Sequence, residues 1–260
     1  MRALLNLVRK KPLPARDPVQ AHFPELQQAS LSAVYYGQRM GGDLYDFLRV
    51  GPNRVLFGLL DVAGRAEENK GIVAAARDNF RSSGCELFSK EDVNEADAMM
   101  ELCLRLNRTI IQSAGGVRSC AAFAGCYEEN LGTVCYFNAG HTPGLVRDTT
   151  GVSELRATGL PLGLFSHTTC DASTVGLEPG ATLLLVSRGI VEAKCNRQEF
   201  GLDSVKSNFQ QSTHESAQEL CLDVLQRVQD FMCVPPTHND VTALALNRAA
   251  QPVGAEAASA

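Results

Sequence analysis

Along this 260-residue chain, apolar and polar positions alternate, then recur at helical spacing, then alternate again. Residues 31–37 and 44–50 read as strands, and Gly51-Pro52-Asn53 turns the chain into a third over residues 54–60. That third strand is apolar at Val55, Leu56, Phe57, Leu59 and Leu60, the pattern of a strand covered on both faces. From residue 68 the period lengthens. Ile72, Val73, Ala75, Ala76 and Phe80 share a helical stripe that runs to residue 88, with Gly84 expected to end or interrupt it. A second helix over residues 93–113 sets Ala96, Met99, Met100, Cys103, Leu106 and Ile110 on an apolar face, and Gly115-Gly116 stops it. The Met99-Met100 pair reads as core filling.

Short strands follow at 119–127, 132–139, 144–147, 173–177 and 181–187, the first two as a hairpin. After Gly201 the helical period returns. Ser212 with Glu215 fits a capping box, and Ala217, Leu220, Val224, Leu225 and Val228 lie on one face until Pro235-Pro236. A last strand spans 241–246. So many strands exceed one flat sheet, so the order predicts an α+β domain of two mainly antiparallel sheets packed face to face with helices outside. No linker-like break interrupts residues 25–248, which reads as one domain. An N-terminal segment and linker (1–24) precede it, and an alanine-rich tail (249–260) expected to be disordered follows.

A net charge of −5 lacks the basic footprint of a nucleic-acid partner. The first eleven residues place apolar positions before Arg9-Lys10-Lys11, the reverse of a secretory signal. No apolar run reaches the roughly 18 residues of a membrane span. A cytoplasmic location is the expectation; contact of residues 1–24 with a membrane or partner is a weaker reading than a frayed terminus. Nine cysteines without a CxxC pair read as reduced core thiols, and His167 with Cys170 lacks the second pair a zinc site needs.

Candidate chemistry gathers at Met40-Gly41-Gly42-Asp43-Leu44-Tyr45-Asp46 and Asp61-Val62-Ala63-Gly64. Each stretch puts a carboxylate beside glycine at a strand edge, and a tight connection between the strands sets Asp43 beside Asp61. Paired carboxylates on a rigid edge suit a hard divalent cation; two turn aspartates are the equally open alternative.

With these stretches, five more carry a resemblance: Asn138-Ala139-Gly140-His141-Thr142-Pro143, Thr158-Gly159-Leu160-Pro161-Leu162-Gly163, Leu177-Glu178-Pro179-Gly180, Gly189-Ile190-Val191-Glu192-Ala193 and Asn239-Asp240-Val241-Thr242. In this order they resemble the metal-dependent protein phosphatase (PPM) family in its bacterial SpoIIE/RsbU branch. The resemblance implies a four-layer α-β-β-α sandwich and hydrolysis of phosphoserine or phosphothreonine on a protein such as an anti-sigma-factor antagonist. It also implies two Mn²⁺ or Mg²⁺ ions that activate a water, with no side-chain nucleophile. On that basis Asp43, Asp61, the carbonyl of Val62 and Asp240 are the metal-ligand candidates. His141 matches a loop position whose expected work is packing and hydrogen bonding, with general acid as the sharper alternative.

Two positions depart from the family pattern. Arg188 stands where the family's TDG motif has aspartate, and Asn239 where DDxT has its first aspartate. At about 4 Å and an effective dielectric near 20, one unit charge pair interacts by roughly 4 kcal/mol, so a guanidinium in place of a carboxylate works strongly against a bound 2+ ion. The expectation is therefore a pseudophosphatase, or a weakly active enzyme holding one ion or none, that binds a protein partner. An active phosphatase using Asp43, Asp61 and Asp240 is the alternative. In a third reading Arg188 helps hold the phosphate of a partner without cleaving it; His238, beside Asn239, is a further candidate contact, with solvent exposure the equally open alternative.

Overall fold

The computed structural model describes residues 18–20, 26–36, 42–167, 170–233 and 240–250. The chain opens with β1 (Pro18–Gln20), β2 (Ala29–Tyr36), β3 (Asp43–Arg49) and β4 (Arg54–Val62). Two helices follow, α1 (Ala66–Phe88) and α2 (Glu95–Ala114), then β5 (Cys120–Glu128), β6 (Thr133–Ala139), β7 (Gly144–Asp148), β8 (Gly151–Leu155), β9 (Ser173–Gly176) and β10 (Thr182–Val186). The last part holds α3 (Arg188–Val191), β11 (Lys194–Cys195), β12 (Gln198–Glu199), α4 (Gly201–Gln211), α5 (Ala217–Phe231) and β13 (Thr242–Arg248).

Two large sheets result, in the orders β1-β2-β13-β10-β7-β8 and β3-β4-β5-β6-β9, with antiparallel strand pairing throughout. Strand alternation divides their side chains among three apolar layers. Val55, Phe57, Leu59 and Phe123 from one sheet meet Leu31, Ala33, Leu185 and Leu244 from the other in the central layer. The opposite face of β4 and β5 sends Leu56, Leu60 and Cys120 against Phe80, Met99 and Leu106 of α1 and α2. The outer face of the other sheet packs Leu184, Ala243 and Ala245 on Phe209, Leu220 and Val224 of α4 and α5. This is the predicted α-β-β-α order of layers, and it explains why β4 is buried along nearly its whole length. Burying each such aliphatic or aromatic side chain contributes about 1.5–3 kcal/mol.

Several expectations are corrected. Gly84 neither ends nor breaks α1: a β-carbon there would lie 2.5 Å from Leu56 Cδ2, so the glycine lets the helix approach β4 closely. Met99 is fully buried but Met100 is 41% exposed, because adjacent helical residues face about 100° apart. The helical stretch after Gly201 is two helices, and Ser216 rather than Ser212 caps the second, its hydroxyl accepting from the Glu219 N–H at 3.2 Å. β8 goes unannounced in the sequence because only Leu155 of its five residues is buried. The cysteines are not all thiols: Cys195 and Cys233 form a disulfide, with Cα atoms 4.7 Å apart, while the other seven are free. Residues 234–239, with Pro235, Pro236, His238 and Asn239, lie outside the described residues.

Candidate functional site

Asp43 and Asp61 are opposite residues in the β3–β4 register. By strand alternation both share the face of Tyr45, Phe47, Leu59 and Phe57, so they stand at the end of the space between the sheets, where apolar filling gives way to carboxylates. Gly42 makes the local geometry feasible: a β-carbon there would lie 2.1 Å from the Val62 carbonyl oxygen. Gly64 takes a left-handed φ of 117° just beyond, letting the chain leave β4 for α1.

The second sheet closes the site from the other side. Asp240 precedes β13 and accepts, at Oδ2, the backbone N–H of Asp43 at 3.0 Å. Thr242 donates its hydroxyl to Asp43 Oδ2 at 2.7 Å. Ser187 joins β10 to β13, donating to the Asp240 carbonyl and accepting the Thr242 N–H, each at 3.0 Å. One residue later Arg188 opens α3 and sets its Nε 3.2 Å from Asp61 Oδ2.

Three buried carboxylates thus share one end of the molecule with one guanidinium. Burial first, and then the charges of Asp61 and Asp240, hold the Asp43 carboxyl well above its usual range, against the hydrogen bonds of Thr242 and Ser187. Burial also raises Asp61; Arg188 opposes that shift, while Asp240 and Glu192 add to it. These are the signs of negative charge that the fold concentrates and only partly neutralises.

By the sequence resemblance, this donor set would hold a two-ion centre. Among the described residues, no three His, Cys, Asp or Glu side chains surround a common point as metal ligands would. Arg188 sits against Asp61, one of the ligand candidates, and the Val62 carbonyl accepts the Asn69 amide at 2.9 Å. Among the described residues, the guanidinium at Asp61 works against a pair of divalent cations.

The structure brings together Asp43, Asp61, Val62, Asp240 and Arg188; His238 and Asn239 lie outside the described residues. His141 is buried in the loop after β6. Its N–H donates to Asn138 Oδ1 at 2.8 Å, and its Nδ1 lies 3.0 Å from the Thr142 carbonyl, while Nε2 has no partner among the described residues. Burial lowers its pKa to about 4, so the ring is neutral at ordinary pH. Thr142 in turn donates to the Val186 carbonyl, fastening this loop to the strand that leads into Arg188.

Sequence reasoning passed over Ser187, Thr242 as a carboxylate donor, and Asn69. Asn69 is fully buried on the first turn of α1, with Oδ1 unpartnered among the described residues. Its signal was available: positions 69, 72, 76 and 80 form one helical stripe, and an amide interrupts an otherwise apolar row. Asp46, inside the first motif, has a different task. It faces α1, where Arg81 donates Nε and a terminal nitrogen to its two oxygens at 2.6 and 2.7 Å.

The family model for stage II sporulation protein E (SpoIIE) matches residues 51–249. Phosphoserine phosphatase RsbU of Bacillus subtilis is 25% identical over 232 residues, covering 86% of this chain and 65% of that protein. The chain spans between 35% and 65% of the length of the curated relatives it matches. The RsbU and RsbW domains of a Mycobacterium tuberculosis protein share the fold, with a TM-score of 0.66 at 23% identity over 86% of this chain and 62% of that one. The structure of the PP2C phosphatase domain of SpoIIE from Bacillus subtilis with a fragment of its regulatory domain gives a TM-score of 0.68 at 14% identity over 86% of this chain and 64% of that one. Proteins of this fold generally use Mn²⁺ or Mg²⁺. No described helix is long and apolar enough to cross a membrane. With 199 of its residues matched by the model, and the site at the end of a two-sheet sandwich, the chain belongs to the SpoIIE family of PPM-type serine/threonine phosphatases.

Proposed function

We propose that this domain, residues 25–248, is a pseudophosphatase: a SpoIIE-type scaffold that binds a protein partner in bacterial signalling without efficient hydrolysis. The observation that carries this reading is the Arg188–Asp61 contact of 3.2 Å. A guanidinium there supplies the positive charge that a metal ion would otherwise bring. Arg188 is 45% exposed on its side chain, so it also has room to meet a phosphorylated serine or threonine on the partner. The cytoplasm is where such a partner would be met.

A second reading is favoured by the surplus of carboxylates: Asp43, Asp61 and Asp240 outnumber the one guanidinium beside them. In it Asp43, Asp61, the Val62 carbonyl and Asp240 serve a Mn/Mg-dependent phosphoserine/phosphothreonine phosphatase. Turnover of a phosphoserine peptide in excess Mn²⁺ separates the two. The pseudophosphatase reading expects the same background rate from the wild type and from Asp61→Ala. Manganese-dependent turnover that Asp61→Ala abolishes would establish the enzyme instead.

A further inference from the structure

We propose that Cys195 and Cys233 form a reversible redox modification site whose disulfide state holds the segment carrying Arg188. Cys195 ends β11, seven residues after Arg188, and Cys233 lies just beyond α5. The bond closes across 38 residues of sequence and thereby ties the α3–β12 segment to a helix packed on the sheet. Contacts continue from the bond towards Arg188. The Cys233 N–H donates to the Lys194 carbonyl at 3.4 Å, Phe200 stacks edge-on against Phe231 at 5.3 Å, and the Phe200 N–H donates to the Ala193 carbonyl at 2.8 Å. Ala193 in turn donates to Ile190, inside α3.

What sets this pair apart among the nine cysteines is that its sulfurs are joined, whereas Cys103 and Cys170, which hydrogen-bond to each other, stay free. Cys120, Cys126, Cys135 and Cys221 are buried in apolar layers, where burial raises their thiols and makes the reactive thiolate scarce. Cys126 and Cys135 are opposite residues on neighbouring strands and are nonetheless free. Cys195 lies in the β11–β12 hairpin, itself buried while its neighbours Lys194 and Asn196 are exposed. Asn196, in the left-handed region at φ 60°, points its amide at the Cys195 sulfur at 3.7 Å. Cys233 is half-buried.

The step balances as thiol–disulfide exchange. A small-molecule disulfide such as glutathione disulfide takes two electrons and two protons from the Cys195 and Cys233 thiols, the protein S–S bond forms, and two glutathione thiols leave. Excess glutathione reverses it.

The redox site itself stands independently of the pseudophosphatase reading; only its influence on Arg188 rests on that reading. The test equilibrates the full 260-residue chain in glutathione buffers of graded ratio, traps thiols with N-ethylmaleimide, and counts adducts after denaturation. Seven adducts are expected at the oxidising end and nine at the reducing end, with Cys195 and Cys233 the pair that changes on peptide mapping. Reduction should lower the melting temperature by roughly 10 °C, given a closed loop of this size, and speed amide exchange over residues 188–199. The Cys195→Ser/Cys233→Ser variant should match the reduced chain at every ratio, and Cys85→Ser should leave the response intact. Nine adducts throughout, a different changing pair, or exchange over 188–199 that ignores the ratio would each overturn the proposal. Failure of the pseudophosphatase reading would appear elsewhere, as manganese-dependent turnover.

Discussion

Two aspartate–arginine contacts on neighbouring strands show how differently one sheet treats its charges. Asp46 faces the helices and is met by both arms of Arg81, so a buried carboxylate has a two-point partner whose side chain remains 55% exposed. Asp61 faces the gap between the sheets and has a single contact with Arg188, 3.2 Å long, while Asp240 and Glu192 press on it from nearby. The first contact settles a charge and fixes α1 against β3. The second leaves an excess of negative charge that nothing in the apolar core requires. A fold that closes one pair completely and leaves the other crowded is paying in stability at the site for the use it makes of it.

The largest expected effect reverses the second contact. Arg188→Asp removes the guanidinium and returns a carboxylate to its place; Mn²⁺ affinity measured by calorimetry should rise by about 100-fold or more, since the charge exchange is worth several kcal/mol. An unchanged affinity would mean that Arg188 is not what keeps the ion away. Next in size, Arg81→Ala strands Asp46 and should cost about 2–3 kcal/mol in urea unfolding, while Arg188→Ala should cost less than half of that. Equal losses would erase the difference between the two contacts.

The pH dependence is a subtler probe. Because the folded-state carboxyls of Asp43 and Asp61 lie above their usual 3.8, the folded protein holds protons that the unfolded chain has lost. Their contribution to stability is therefore present at acid pH and is lost as pH rises from about 4. In chelator-treated protein, Asp43→Asn should flatten that slope. His141 acts oppositely: with a folded pKa of about 4 against 6.5, it destabilises the fold as pH falls between those values, and His141→Gln should remove that trend. Thermal melts across pH 4–7 for the three proteins check both signs. The smallest effect is expected from Thr242→Val, which removes one donor from Asp43 and should cost about 1 kcal/mol.

Much of this architecture was legible in the chain. The register that sets Asp43 opposite Asp61 follows from two apolar strands and a Gly-Pro-Asn turn, and the three apolar layers follow from strand alternation and helical stripes. What stayed hidden depends on partners distant in sequence. Arg81 pairs with Asp46 across 35 residues, and Ser187 meets Asp240 across 53, so no local period announces either. The cysteine pair was missed for the same reason, because composition suggests a compartment but does not bring two sulfurs together. The break before α5 was misplaced by four residues because Ser212 and Ser216 both offer capping hydroxyls, and only packing against β2 chooses between them.

The most direct measurement of the central claim is a calorimetric titration of the wild-type chain with Mn²⁺. If the Arg188 guanidinium holds the place of a cation, the titration should give little or no heat of binding, and Arg188→Asp should restore it. Two equivalents of Mn²⁺ bound tightly by the wild-type protein would contradict the account.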